Sequence, residues 1–390
     1  MNLYKEAQDL FSFTQAIRRD IHMHPELGFE EFRTAEIVSK ELNGLGIEVQ
    51  TGVGKTGVVG LIQSIQPGPT VLLRFDMDAL PVTEDTNAAY ASKTEGVMHA
   101  CGHDGHIAIG LSVAKLLVKH KAEWCGTIKL VFQPAEEGLG GAESMIEDGV
   151  LENPKPDFSL ALHLWNERPI GEICVTPGPA MAGAEAFTIS VLGKGAHGAQ
   201  PHQGLDPILA SSHIITALQS IVSRNVPPLE TAVLSVATIH GGKAFNVIPP
   251  KVEMKGTIRT YLPEIRILVI DRMREIVTGV AESMGCRVTI SIDQTIPAVI
   301  NDLKISQKIQ TIVGEVLPDD RLITDERTMG SEDMAFMMKE VPGCYMFIGS
   351  NNKERGLIFG HHHPKFDFDE AALPRGVALM TGAAMKLLQS

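Results

Sequence analysis

The segment His99-Ala100-Cys101-Gly102-His103-Asp104-Gly105-His106 concentrates three imidazoles, a thiol and a carboxylate in eight consecutive positions. Thiolate, imidazole and carboxylate are the ligands of zinc and its neighbours, and Gly102 and Gly105 let the backbone turn tightly enough to aim several inward. A polar helix-capping loop with solvated histidines draws on the same residue types, so the segment needs company. Part of that company is Phe132-Gln133-Pro134-Ala135-Glu136-Glu137-Gly138, where two carboxylates follow an apolar run. Neighbours in an extended turn point in different directions, so one glutamate can bind metal while the other moves protons; alone, the pair would read as solvated surface. His163 lies within the apolar Leu160-Ala161-Leu162-His163-Leu164-Trp165, where a hydrogen-bonded core histidine is the plain alternative. The run His361-His362-His363-Pro364 reads either as a ligand source or as an exposed, adventitious metal tract. Together these segments, each placing ligand-type residues at or beyond an apolar run, point to a metal site.

A further acidic stretch, Arg74-Phe75-Asp76-Met77-Asp78-Ala79-Leu80-Pro81, ends another apolar run. Asp78 either orients a ligand histidine and fixes its tautomer or caps the following turn. Gly52-Val53-Gly54-Lys55-Thr56 superficially suggests a nucleotide-binding loop, but that motif requires glycine where Val49 stands, and the stretch reads as a glycine-rich strand connection.

The elements that must position these residues are legible from periodicity. Ala7, Leu10, Phe11, Ile17 and Ile21 step with helical period, interrupted at Thr14, and Phe32, Ala35, Val38, Leu42 and Leu45 repeat it, so two amphipathic helices open the chain. Short apolar runs at 58–62, 71–75, 128–132 and 158–162 alternate with helical stretches such as 107–118, which implies an α/β sheet with helices on its faces. Character changes at Pro177-Gly178-Pro179. From Phe187 the order is strand, helix (207–222), strand (232–239), strand (252–260), helix (262–284), strand (287–292), a βαββαβ series that fits a ferredoxin-like α+β insert. Past Pro297 the α/β pattern resumes, with a strand at 345–348 and a closing helix from Glu370. The expected organisation is a catalytic domain of residues 1–178 and 297–390, interrupted by a lid at 179–296.

Length supports two cores, since 390 residues exceed what one usually serves. Hydrophobic residues at 44% and charged residues at 21% place the chain among globular proteins. A formal charge of −13 repels nucleic-acid phosphates and anionic headgroups, so a small-molecule ligand is expected, with no nucleic acid and no membrane partner. Five scattered cysteines with no Cys-x-x-Cys spacing, and a charged N-terminus without a signal-type apolar core, lead to a cytoplasmic expectation.

Read together, these residues resemble the metal-dependent aminoacylase and carboxypeptidase family of co-catalytic metallopeptidases, and within it the amidohydrolase branch of hippurate hydrolase, N-acetyl-diaminopimelate deacetylase and indole-acetyl-amino-acid hydrolases. The likeness runs from Arg18-Arg19-Asp20-Ile21-His22 and His24-Pro25-Glu26-Leu27-Gly28 to His362-His363-Pro364 and Asp369-Glu370-Ala371. It implies a metallopeptidase-type mixed sheet with an inserted lid, and two divalent ions per subunit, Mn, Zn, Co or Ni. The implied ligands are Cys101, His103, Glu137, His163 and His362, the last chosen over His361 by its spacing to Pro364. Glu136 is the implied general base. His197, in Gly195-Ala196-His197-Gly198-Ala199, is implied to reach the substrate from the partner subunit of a homodimer formed through the lid, and Asn246 and Arg259 to contact the substrate carboxylate; a structural role in the lid is the alternative for all three. The implied activity is hydrolysis of the amide bond of N-acyl amino acids. Its runner-up is a dipeptidase or carboxypeptidase acting on short peptides. A metal-storage or sensor protein would explain the Cys and His clusters, yet needs neither a glutamate beside a ligand nor a lid.

Overall fold

Fully apolar runs become fully buried strands, because a parallel strand covered on both faces has no side left for water. The computed structural model describes residues 1–389, apart from the side chain of Gln294. The chain divides into two compact units: residues 1–180, 300–327 and 333–390 form one, and residues 181–299 with 328–332 form the other.

The first unit is built on an eight-stranded mixed sheet in the order Glu48–Val53, Gly57–Gln63, Thr127–Gln133, Thr70–Asp76, Phe158–Pro169, Gly343–Asn351, Glu172–Cys174 and Arg321–Ile323. Thr70–Asp76 pairs in parallel with both Thr127–Gln133 and Phe158–Pro169, and the latter pairs in parallel with Gly343–Asn351. Alternate side chains serve opposite faces. Val71, Leu73 and Phe75 join one core with the helices His103–Lys119 and Ala372–Leu388, whereas Arg74 donates to Asp333 at the start of the helix Met334–Glu340. Helices therefore cover both faces. Register sets Asp76 level with Gln133 and two residues past the Arg74–Ala161 pair, which brings His163 to the same height. Ligand-type residues thus collect at the C-terminal ends of parallel strands, where open α/β sheets place their sites.

The chain opens with three helices rather than two, Leu3–Asp9, Phe11–Met23 and Phe32–Gly44. Thr14 does not interrupt the buried face: its hydroxyl pairs with Ser112 at 2.7 Å, so a polar residue sits in the core with its hydrogen bond made. Phe32, counted on the apolar face, is 69% exposed. Gly52, Gly54 and Lys55 take positive φ in the hairpin between the first two strands, which is the strand connection expected there.

The second unit is an antiparallel sheet in the order Ala232–Gly241, Lys251–Thr260, Gly183–Leu192, Arg287–Ile296. Helices Pro207–Arg224 and Pro263–Ser283 pack on one face, where Phe187, Ile189 and Val191 meet Ile214, Leu218, Val269 and Met273. The βαββαβ order with this strand arrangement is ferredoxin-like.

Candidate metal centre

Cys101 and His103 flank Gly102, whose φ of 90° turns the chain sharply into the helix that His103 begins. That conformation suits glycine. Gly105 has another reason: a Cβ there would lie 2.5 Å from Leu164 Cδ1 and 2.8 Å from the Phe368 ring, so it permits helix packing rather than a turn.

Asp78, two residues past the end of its strand, makes two contacts. Its carboxylate accepts the Glu137 amide at 3.0 Å and lies 3.3 Å from His103 Nδ1, which also meets the Asp78 carbonyl at 2.8 Å. His103 Nδ1 therefore carries the proton, and Nε2, buried without a hydrogen-bond partner, faces the cluster. His163 is arranged alike: Nδ1 meets the Leu164 carbonyl at 2.7 Å, leaving Nε2 3.4 Å from Cys101 Sγ.

The two glutamates follow Ala135, which takes a φ of 53°. Its amide donates to buried Glu31 at 2.9 Å, and Thr56 donates to the other Glu31 oxygen at 2.5 Å. Burial pushes the Glu31 carboxyl up, while these donors work the other way. The turn closes with the Gly138 amide on the Glu136 carbonyl at 2.6 Å. His362, at a φ of 65°, donates its amide to Ala100 at 2.7 Å, and its Nε2 lies 3.2 Å from Glu137 Oε1. His361 turns away: it stacks on Trp165 at 4.9 Å, and its Nε2 meets the Leu164 carbonyl at 2.9 Å.

The ligand atoms gather in overlapping groups of Cys101, His103 and His163, of Cys101, Glu137 and His362, and of His103, Glu136 and Glu137, each within 4.8 Å. Burial opposes charge on His103, yet Asp76, Asp78 and Glu137 raise it to about 10, so without a metal cation Nε2 would hold a second proton, in the place where a bound cation would answer the same carboxylates. Burial and the carboxylates of Glu137, Glu136 and Asp76 push the Cys101 thiol well up, and burial holds His163 well below its ordinary value, hence neutral. Such a concentration of negative charge around neutral imidazole and thiol suits divalent cations, and an orphaned, buried His103 Nε2 fits the same role.

Three supporting residues carried no assignment in the sequence reading. Arg74 pairs with Asp76, Asp76 Oδ1 meets His106 Nδ1 at 2.6 Å, and the Leu164 amide donates to His106 Nε2 at 2.9 Å. Both His106 nitrogens are thereby engaged, although the residue lies in the richest motif. The alternation Arg74-x-Asp76 at the end of an otherwise apolar strand, continued by Asp78 just beyond it, was the available signal, since buried charges must be paired.

In the second unit, His197 lies in the short strand Ala196–His197 paired with Val247–Ile248, and the Gly198 amide donates to the Asn246 carbonyl at 2.7 Å. His197 and Asn246 are therefore neighbours. Arg259 is not near them: it pairs with Ala184 and Val233, at the opposite end of the strand from Lys251. Seven residue steps of strand separate Val252 from Arg259, roughly 23 Å at the rise of an extended chain.

Residues 72–386 match the peptidase family M20/M25/M40. The chain is 39% identical to the thermostable carboxypeptidase 1 of Saccharolobus solfataricus, covering 98% of each protein. It is also 39% identical to IAA-amino acid hydrolase ILR1-like 4 of Arabidopsis thaliana, over 97% of this chain and 87% of that one. The crystal structure of the Bacillus subtilis YXEP protein, a dinuclear metal binding peptidase from the M20 family, superposes with a TM-score of 0.86 at 33% identity, over 98% of this chain and 99% of that chain. The chain belongs to the peptidase family M20/M25/M40 and is a hydrolytic enzyme that takes divalent metal. Among the described residues, no helix is long and apolar enough to cross a membrane.

Proposed function

We propose that the enzyme hydrolyses the amide bond of N-acyl amino acids. The carrying observation is the convergence of Cys101, His103, Glu137, His163 and His362 with Glu136 placed beside them. Those five residues would hold two divalent ions, drawn from Mn, Zn, Co or Ni. What such a pair supplies when bound is Lewis acidity, which brings the pKa of water towards about 7 and draws charge from an amide carbonyl. Glu136 takes the proton from the attacking water and returns it to the departing amine. Asp78 keeps the His103 proton on Nδ1, so that Nε2 stays available. His197 donates to the developing oxyanion, and Asn246 and Arg259 take the substrate carboxylate.

Because His197 and Asn246 lie at one end of the second unit and Arg259 at the other, residues of one copy are too far apart to hold one small substrate. A homodimer formed through the second unit, with His197 and Asn246 supplied by the partner subunit, resolves this. All five cysteines are unpaired, which fits work in the reducing cytoplasm.

The likeness to a carboxypeptidase favours a second reading, cleavage of short peptides. Amine release from N-acetyl, N-benzoyl and indole-acetyl amino acids, beside dipeptides, separates the two when metal-stripped protein is assayed with and without Mn²⁺ or Zn²⁺. Metal-restored cleavage of the acyl amino acids is expected. Cleavage of dipeptides alone replaces the proposal with the peptidase reading.

A further inference from the structure

Arg259 is a half-buried cation whose hydrogen bonds all leave from one nitrogen. Nη1 donates to the Thr257 hydroxyl and, at 3.1 Å, to the Ile258 carbonyl. Among the described residues Nε and Nη2 have no partner in a hydrogen bond or ion pair, and this is the edge of the guanidinium that forms a two-pronged contact with a carboxylate. The acid whose charge acts on it, Glu185, pairs through Oε1 with Arg266 of the helix Pro263–Ser283, and its Oε2 is buried without a hydrogen bond to Arg259 or any other described residue. Burial lowers the Arg259 pKa, and Glu185 only partly offsets this, so the charge is short of a counter-ion.

Thr257 sets the direction of that free edge. Two residues before Arg259 on one strand, it shares the same face of the sheet. Its hydroxyl accepts from Arg259 Nη1 and passes its own proton to the Glu185 carbonyl on the adjacent strand at 3.0 Å. A hydroxyl that donates to a fixed backbone oxygen has its lone pairs fixed too, so the guanidinium is held by a group that cannot swivel. Valine would match the shape and suit the strand equally well, yet accept nothing.

We propose that Thr257 is a positioning residue for Arg259, fixing the Nε–Nη2 edge so that the enzyme selects substrates bearing a free carboxylate. The proposal rests on the reading of Arg259 as the carboxylate contact. It predicts a defect confined to acid binding. In the full-length, metal-loaded enzyme, Thr257→Val raises KM for an N-acyl amino acid by about tenfold, as expected for losing one hydrogen bond to a charged group. It leaves kcat, the melting temperature and the inhibition constant of the corresponding carboxamide unchanged, and Thr257→Ser restores the wild-type KM. An acid KM within twofold of wild type in Thr257→Val overturns the proposal, as does equal weakening of acid and carboxamide, which would mark a packing role. Arg259→Gln is the separate control. If Arg259→Gln weakens the acid more than the carboxamide while Thr257→Val does not, only the positioning role fails; if Arg259→Gln leaves the acid's advantage over the carboxamide unchanged, the carboxylate reading fails and takes this proposal with it.

Discussion

Asp76 Oδ1 lies 2.6 Å from His106 Nδ1, within a pair wholly buried beside the candidate metal centre. Because the Leu164 amide can only donate, the His106 Nε2 it meets at 2.9 Å must be an acceptor, and the ring proton belongs on Nδ1. The ring thus ties the strand ending at Asp76 to the strand carrying His163. His106→Ala would leave the Asp76 oxygen and the Leu164 amide without partners, at about 1–3 kcal/mol each. Metal affinity is expected to fall by about 10–100-fold, the usual consequence of losing a residue that orients ligands. Metal titration of chelator-treated protein, paired with thermal melts, checks this. A lower melting temperature with unchanged affinity would make the pair purely structural.

Glu136 and Glu137 are consecutive but have different surroundings. Glu137 donates its amide to the Asp78 carboxylate and lies against His362, whereas Glu136 joins the cluster through the group with His103. Glu136→Gln is expected to lower kcat by about 10²–10⁴ at unchanged metal content, and Glu137→Gln to lose metal first. Elemental analysis beside steady-state kinetics distinguishes them. Full activity in Glu136→Gln removes its role as the proton carrier.

The sequence shows the sheet strands and the ferredoxin-like series because their apolar runs have clean periods, and the ligand segments stand out because carboxylates and imidazoles interrupt those runs. It could not show which of three consecutive histidines faces Glu137, since that depends on the positive φ of His362 and on the stacking of His361 against Trp165. Nor does spacing separate His106 from His103. Both lie near the start of one helix, and only tertiary partners, Leu164 and Asp76 for one and Asp78 for the other, assign them different work. The distance between His197 and Arg259 was equally hidden, because strand register, not sequence order, sets it.

His22 is buried between Asp104 at 2.8 Å and Glu84 at 3.3 Å. Burial opposes its charge, but these carboxylates outweigh it and raise the pKa to about 9. The protonated ring therefore adds stability in full below about pH 6.5, and that contribution drains away as pH climbs towards 9. The displacement corresponds to on the order of 3 kcal/mol. His99 behaves oppositely: burial holds it neutral, with a pKa of about 3, so it costs stability as pH falls below about 6.5. Urea melts at pH 6, 7.5 and 9 should show the wild type weakening on the alkaline side and His22→Gln, weaker throughout, losing that slope. An identical alkaline slope in the variant would assign it to other groups.

The edge strand Ala232–Gly241 has a free side, and Phe245 in the loop that follows it is fully exposed, with Val247 and Ile239 about half exposed. An unpaired edge beside exposed large apolar side chains is a surface that a second copy can cover. If the proposed homodimer forms through this patch, Phe245→Asp places a charge in it and is expected to shift that dimer to monomer in light scattering across a concentration series. Turnover should fall with the dimer fraction, since one chain's His197, in the short two-stranded pair, and its Arg259, at the far end of the strand Lys251–Thr260, lie at opposite ends of the second unit. The metal content should not change, because Cys101, His103, Glu137, His163 and His362 all belong to the first unit. A wild-type enzyme that is monomeric and active at every concentration would require both substrate contacts to come from one chain, and Arg259 or His197 would then lose its assigned role.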